Sequence, residues 1–401
     1  MKQTRRDLAA ITAQACMLLV MTGMIAGLAW GKDLETTAYG QPAEGDIGPF
    51  MGEPRFDEQR VFKGGRGPNV VVATDGTVLA TCGSPVKLRR SEDGGKTWGE
   101  PIDVGNGHVA SGNIVNEVNG DVFIFSDPRG QIPLTLHRSS DDGKTWEVVD
   151  FEIKPDPNGN VPAMAMNDHG VTLRYGKYAG RLIRPARVYN GKRGYTTAIY
   201  SDDNGKTWES SDPFPEIGTG EATLVGLSDG SIYYNTRRHW APKGKNPRRR
   251  WHGWSYDGGK TWQDVSICEV LPDGPQHSNY GLMGGLARLP VKGVDILVFS
   301  NINPPAADRV GKAAGRQNGH VWASFDGGRT WPVMRQITDG PFGYSSTIAG
   351  RPDTASEAWI YTGYENNGMV VARFNLGWLI DVGEGKAVLT GDGEIPGWLT
   401  P

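Results

Sequence analysis

The chain has 401 residues, with 42 Lys and Arg against 45 Asp and Glu and a formal net charge of -3, a balance that excludes nucleic-acid binding by bulk charge. Its 57 Gly, 26 Pro and 13 Trp, with no long apolar stretch at helical spacing beyond the N-terminus, predict an all-β protein of short strands and tight turns with little helix. Three cysteines exclude a disulfide framework. No CxxC, HExxH or clustered histidines appear, so neither a metal nor a cofactor is expected.

At the N-terminus Arg5 and Arg6 precede an apolar stretch from Leu8 to Trp30, with small residues clustered at 26–31. This pattern predicts a signal peptide over residues 1–31 that resembles a twin-arginine export signal. The protein is then exported, periplasmic or extracellular, with no stable membrane span once the signal is removed. Asp7 stands where such signals prefer a less charged residue, so Sec export and an uncleaved anchor stay open. Removal takes Cys16 away and leaves Cys82 and Cys268, expected as two buried thiols. Residues 32–60, rich in Gly, Pro and acids, read as a loosely held lead-in to one domain over 61–401.

Within that domain an octapeptide recurs five times: SEDGGKTW from Ser91, SSDDGKTW from Ser139, SDDNGKTW from Ser201, SYDGGKTW from Ser255 and SFDGGRTW from Ser324. The Asp accepts hydrogen bonds from its own turn, Gly supplies a positive φ, Thr resumes extended backbone, and Trp places a large ring in the core. These Asp residues read as structural, because a carboxylate consumed by its own turn is a poor catalyst. The copies start about 50–70 residues apart, the length of a four-stranded blade with variable loops. Alternating runs at 357–364 and 368–376 supply one more blade without a box, which predicts a six-bladed β-propeller with Asp-box hairpins. The basic run from Arg237 to Trp251 reads as a solvated rim loop, except for Arg237, which closes the strand-like run SIYYNTR.

The segments around the boxes are GRGPNVVVATDGTVLAT (65–81), HGVTLRYGKYAGRLIRPARVY (169–189), GTGEATLVGLSDGSIYYNTR (218–237), DRVGKAAGRQNGHVWASFDGGRTW (308–331), GPFGYSSTIAG (340–350) and YTGYENN (361–367). In this order they resemble those of the exo-sialidase (neuraminidase) family of Asp-box glycoside hydrolases, from about Phe62 to Leu379. The resemblance implies that Arg66, Arg237 and Arg316 grip a substrate carboxylate, with Glu365 positioning Arg66. It makes Tyr344 the nucleophile and Glu221 the group that activates it. The implied reaction is retaining hydrolysis of a terminal sialic acid or related acidic sugar on a glycan, with no cofactor.

The residue types suit that chemistry. A sialoside carries its carboxylate on the anomeric carbon, so guanidinium groups bind it through charge-assisted, partly bidentate hydrogen bonds. A carboxylate nucleophile would be repelled there, whereas a neutral phenol is not, and tyrosine nucleophiles are a recognised exception among glycosidases. A phenol with a free pKa of about 10 needs an adjacent base.

One expected part is missing. The family carries its proton-donating aspartate between the first hairpin and the strand leading to the first box, and here the stretch from Thr81 to Trp98 holds no acid before Ser91. Asp127 is the candidate acid in its place, with His169 and Asp57 as further candidates. Three alternatives follow: a different acidic sugar with altered protonation chemistry, a propeller that binds carboxylated glycans without turnover, and a structural propeller with incidental arginines.

Overall fold

A computed structural model of the protein describes residues 44–83, 85–105, 107, 109–127, 134–162, 166–189, 194–240, 248–273, 281–303 and 316–399. The expected signal peptide and the middle of the basic run, 241–247, lie outside the described residues. Strand β1 (Phe56–Phe62) comes first. Blade I follows with β2 (Asn69–Val72), β3 (Val78–Cys82), β4 (Val86–Ser91) and β5 (Ile102–Gly105). Blade II has β6 (Val109–Val115), β7 (Val122–Asp127), β8 (Thr135–Ser139) and β9 (Glu147–Val149). Blade III is β10 (Glu152–Ile153), β11 (Val171–Thr172), β12 (Leu182–Tyr189), β13 (Gly194–Ser201) and β14 (Thr207–Ser210). Blade IV is β15 (Ala222–Gly226), β16 (Ile232–Thr236), β17 (Arg249–Ser255) and β18 (Gln263–Pro272). Blade V is β19 (Gly285–Arg288), β20 (Leu297–Ile302), β21 (Gln317–Ser324) and β22 (Val333–Pro341). Blade VI is β23 (Ser345–Ala349), β24 (Ile360–Glu365) and β25 (Met369–Phe374); the five-residue helix α1 (Leu376–Ile380) and the short β26 (Val388–Leu389) end the fold, β26 pairing with β22. The blades are six separate sheets, the six-bladed propeller that the repeats predict.

The ring closes through the N-terminal strand. β1 pairs antiparallel with β25, so the fourth strand of blade VI comes from the start of the domain. Residues 44–60, expected as a loose lead-in, are instead packed on the propeller. Phe50 is 2% exposed, Gly45 bridges Val291, and Glu44 pairs with Arg288. The apolar side chains of Phe50, Val61 and Phe62 gain more from burial than the acid-rich composition around them suggests.

Each box behaves as its pattern requires. In the first, Asp93 Oδ1 accepts from the backbone N–H groups of Lys96 (3.0 Å) and Thr97 (2.9 Å), while Ser91 Oγ donates to the same oxygen and accepts from Gly95 N. Burial would raise this carboxyl, but the donors of Thr97, Ser91 and Lys96 bring it down to about 2. Each turn holds two consecutive residues at positive φ. The first position is Gly94, Asp142, Asn204, Gly258 or Gly327, and the second is always glycine, at φ between 83° and 91°.

The invariance of the second glycine has an inter-blade cause. A Cβ on Gly95 would lie 3.1 Å from the Tyr361 ring of blade VI, on Gly143 3.1 Å from Leu79 of blade I, and on Gly205 3.0 Å from Phe123 of blade II. On Gly259 it would lie 2.2 Å from Ile183 of blade III, and on Gly328 2.7 Å from Tyr233 of blade IV. Every box therefore presses on the blade before it, and its Trp follows. Trp98, Trp146, Trp208, Trp262 and Trp331 each join the apolar cluster shared with the preceding blade. Blade VI has no box, and its interface with blade V is filled by Trp378 of α1, stacked on Phe56 at 4.8 Å with the Arg335 guanidinium 4.3 Å from its ring.

Gly328→Ala drives a methyl group into the fully buried Tyr233 ring and should lower unfolding stability by about 1–3 kcal/mol. Gly327→Asn, at the position where Asn204 is already tolerated, should stay within about 0.5 kcal/mol. Urea denaturation of the two variants beside the parent checks the contrast.

Candidate active site

The innermost strands β2, β6, β11, β15, β19 and β23 neighbour one another around the axis, each the first strand of its blade once the outer β10 of blade III is set aside. One end of the axis therefore gathers the residues that precede first strands and those that end second strands. Glu221 directly precedes β15, Tyr344 directly precedes β23, and Arg66 stands three residues before β2. Arg237 directly follows β16, Glu365 ends β24, and Arg316 directly precedes β21. The backbone sets these positions in pairs. Gly220 N donates to Arg237 O (2.8 Å) and Arg237 N to Glu221 O (2.9 Å), while Glu365 N donates to Tyr344 O (2.9 Å).

Tyr344 is the centre of the cluster. Its Oη donates to Glu221 Oε1 at 3.2 Å, and Arg316 reaches the same hydroxyl at 3.5 Å. The Arg316 and Arg66 guanidinium groups lie 4.4 and 5.5 Å from the phenol ring centre. Glu365 ties this half together, with Oε1 at 3.5 Å from Arg66 Nε and Oε2 at 3.7 Å from Arg316. Its carboxylate also accepts from Gly67 N at 2.9 Å. Gly343 makes that approach possible, since a Cβ there would lie 2.5 Å from the Glu365 carboxylate.

Glu221 is 1% exposed and sits between Arg237, which holds Oε2, and Arg187 at 3.4 Å from Oε1. Burial pushes its carboxyl up, but Arg237 and then Arg187 outweigh that and hold it far below the usual carboxylate range. Arg237 is itself 2% exposed; burial disfavours its charge, and Glu221 restores and raises it. Behind it, Asp273 accepts from Arg238 N at 2.6 Å and pairs with Arg250 at 3.3 Å, and burial lifts its carboxyl to about 6. Arg250 also reaches the Glu221 carbonyl at 3.4 Å, so the pair braces the backbone that carries Glu221.

The structure thus brings together Tyr344, Glu221, Arg66, Arg237, Arg316 and Glu365. Asp127, the candidate acid, is the last residue of β7, paired with Val109 and 3% exposed in blade II, outside the contacts above. The other two candidates are committed elsewhere. The His169 ring lies against the carbonyls of Thr347 (2.8 Å) and Leu286 (3.1 Å) and lines a cavity of about 80 Å3 that contains none of the six. Asp57 sits on the outer strand β1 with its carboxylate on Arg373 at 2.7 Å. β3 ends at Cys82 and β4 starts at Val86, so only three residues, none of them acidic, separate the two strands where an acid was sought.

Four contributors were missed in the sequence. Arg187 stands third from the end of the segment GRLIRPARVY (180–189) beside its apolar neighbours, and a charge so near the site end of β12 was the available signal. His239 directly follows Arg238 and places Nδ1 4.0 Å from Glu221 Oε1. Burial lowers its pKa to about 4, the charge of Glu221 opposing this and the arginines adding to it. Arg250 lay in the run expected as solvated, yet it is 0% exposed, and its partner Asp273, beyond that run and just past the end of β18, is 2% exposed.

Comparison with known proteins bears on the family and the fold. Residues 134–354 match the model of the BNR repeat-like domain. A sialidase of Micromonospora viridifaciens is 30% identical, over 86% of this chain and 58% of its own length. A Vibrio cholerae sialidase is 29% identical, over 47% of this chain and 26% of its own. This chain therefore spans a little over half, or less, of those relatives. Among solved structures, a Hadza microbial sialidase superposes with a TM-score of 0.60 at 21% identity, covering 79% of this chain and 66% of that one. The intramolecular trans-sialidase of Ruminococcus gnavus does so with 0.60 at 17%, covering 81% and 97%. Both show the same propeller fold.

The His239 imidazole should titrate near 4 rather than near 6.5 in nitrogen-detected NMR of the folded protein. Glu221→Gln removes the one charge that raises it and should lower the value further, whereas an exposed ring would titrate normally in both proteins.

Proposed function

Since the chain belongs to the sialidase family of BNR-repeat β-propellers, a family of glycoside hydrolases, we propose that it removes a terminal sialic acid or related acidic sugar from glycans by retaining hydrolysis. The observation that carries this reading is the Tyr344 hydroxyl at 3.2 Å from a Glu221 carboxylate, with Arg316 on the same oxygen. The substrate carboxylate is taken by Arg66, Arg237 and Arg316, through hydrogen bonds of the charge-assisted kind. The Ruminococcus gnavus protein is known in complex with oseltamivir carboxylate, a ligand bearing that same group.

In the first step Tyr344 Oη passes its proton to Glu221 as Oη bonds to the anomeric carbon and the glycosidic bond breaks. The departing oxygen takes a proton, with Asp127 as the candidate donor. Water then cleaves the tyrosyl–sugar bond: its hydroxyl goes to the sugar, its proton to the group that protonated the departing oxygen, and Glu221 returns its proton to Tyr344 Oη, so that two displacements retain configuration. General-acid help is worth about two to four powers of ten, so with no acid at the 83–85 turn the enzyme should favour leaving groups that depart as stable anions. That turn also supports a second reading, a pocket that binds carboxylated sugars without turning them over. Export to the periplasm or cell exterior is part of the proposal; among the described residues no helix is long and apolar enough to cross a membrane.

The test is hydrolysis of an activated aryl sialoside beside sialyl-lactose, by the parent and by Tyr344→Phe. Aryl release that vanishes in the variant supports the assignment, and the sialyl-lactose rate reads out the proton donor. Absence of turnover with sialic acid still bound in an Arg316-dependent way would establish the binding reading.

A second prediction concerns pH. Removing one of the cations that hold Glu221 ionised, as in Arg187→Met, raises its pKa. The acid limb of kcat/KM on the aryl sialoside, which reports ionisation in the free enzyme, should therefore move to higher pH. An unmoved limb would show that Glu221 is not the ionising base.

A further inference from the structure

Behind Glu221 the buried charges alternate in sign. Glu221 holds Arg237, Arg237 backs onto Asp273, and Asp273 pairs with Arg250 at 3.3 Å, all four at 2% exposure or less. We propose that Asp273 is a positioning residue that sets how strongly Arg237 grips the substrate carboxylate, acting from behind the guanidinium without touching the substrate. This role rests on the sialoside reading above.

Asp273 directly follows β18, and its backbone holds it in place: its N donates to Arg248 O at 3.1 Å, while Oδ2 accepts from Arg238 N at 2.6 Å. Gly281, at φ 65°, lies where Arg237 and Asp273 meet, since a Cβ there would be 2.8 Å from Arg237 Nε and 3.1 Å from Asp273 Oδ1. Arg250 on β17 closes the line. Its Nε donates to Asn235 Oδ1 at 2.7 Å, Nη1 to the Leu282 carbonyl at 2.9 Å and Nη2 to the Glu221 carbonyl at 3.4 Å. Charges so deeply buried persist only in paired and hydrogen-bonded sets of this kind.

A grip built for strength alone would leave the far side of Arg237 neutral. Here Asp273 cancels part of its charge, so a substrate carboxylate binds against a guanidinium that already faces two carboxylates, and charges this close interact strongly at the low effective dielectric of a buried site. Burial lifts the Asp273 carboxyl to about 6, with Arg250 and Arg237 opposing the rise. Above that pH Asp273 is ionised and weakens the grip; below it Asp273 is neutral and more of the Arg237 charge serves the substrate. Reciprocally, a bound carboxylate favours the protonated form of Asp273. The charged groups that face Asp273 are Arg250 from β17, Arg237 and Arg238 from the segment after β16 and, across Arg237, Glu221 from before β15. Glu221 is held far below this range and His239 is lowered to about 4, so neither titrates in the same window.

The test is calorimetric binding of free sialic acid to the whole protein from about pH 5 to about pH 7.5, beside its methyl ester, which lacks the charge. Affinity of the parent for the acid should rise about fivefold as pH falls across this range, the equivalent of about 1 kcal/mol. Binding near about pH 6.5 should take up protons, and the ester should show no trend. Asp273→Asn keeps an acceptor for Arg238 N and should bind the acid about fivefold more tightly at the upper end of the range, with the trend gone. A merely structural role would instead loosen binding at every pH. Parent binding without proton uptake, a trend shared by the ester, or a trend that survives in Asp273→Asn overturns the role of Asp273 and leaves the sialoside reading standing. A parent that binds neither compound overturns both.

Discussion

The contact between each box glycine and the blade before it is the constraint on which the rest of the structure depends. A propeller has no single core; its apolar residues form separate clusters, one at each junction between blades. A turn that only capped its own hairpin would leave neighbouring blades free to slide. Because the second glycine lies flat on the neighbour and the following Trp fills the space beside it, blade-to-blade spacing is fixed at five junctions. The sixth uses Trp378 and the N-terminal strand. That last junction, with its neighbour, carries Tyr344 and Glu365, so the segment 56–62 holds the proposed nucleophile as well as the ring.

Ring closure then governs electrostatics. The six central residues come from blades I, IV, V and VI, and none approaches another through local sequence except in the pairs Glu221 with Arg237 and Tyr344 with Glu365. Glu365 holds two guanidinium groups on one side of the phenol, and Glu221 holds Arg237 and Arg187 on the other. Buried charge is tolerated only when paired and hydrogen-bonded, and here each carboxylate draws two arginines. The neutral phenol between the halves is the one group that neither half repels.

The fold was legible because its signal is local and repeated. Five copies of one turn, each with the residue types its geometry demands, specify blades without reference to anything distant. The same locality concealed why the second glycine never varies, since Tyr361 or Tyr233 touches it only after the ring has closed. Site positions were legible where they sit in strand-flanking segments with a familiar order, as Glu221 and Tyr344 do. Arg187 was not, because its meaning comes from standing across a blade junction from Glu221, and His239 was not, because it nears Glu221 only once β15 and β16 have paired. The basic run misled in part for a related reason. Composition marks Arg250 as solvated, whereas Asn235, Asp273 and the Leu282 carbonyl occupy its guanidinium at the core of the ring.

In the proposed reaction, the burial and pairing of Glu221 limit how the first chemical step can run. A carboxylate held so far below its ordinary range is a weak base, and a phenol is a weak acid, so full proton transfer before bond formation is strongly uphill. Proton and carbon must move together. As Oη bonds to the anomeric carbon its proton becomes acidic, and only then does Glu221 become basic enough to take it. The two arginines on Glu221 therefore make the base serve late in the step, when charge develops at the sugar, rather than produce a free phenolate beside Arg316 and Arg66. A phenolate formed early would be trapped as an ion pair with those cations. Keeping Tyr344 protonated until attack leaves both guanidinium groups available for the substrate carboxylate, the group by which an acidic sugar is distinguished from a neutral one.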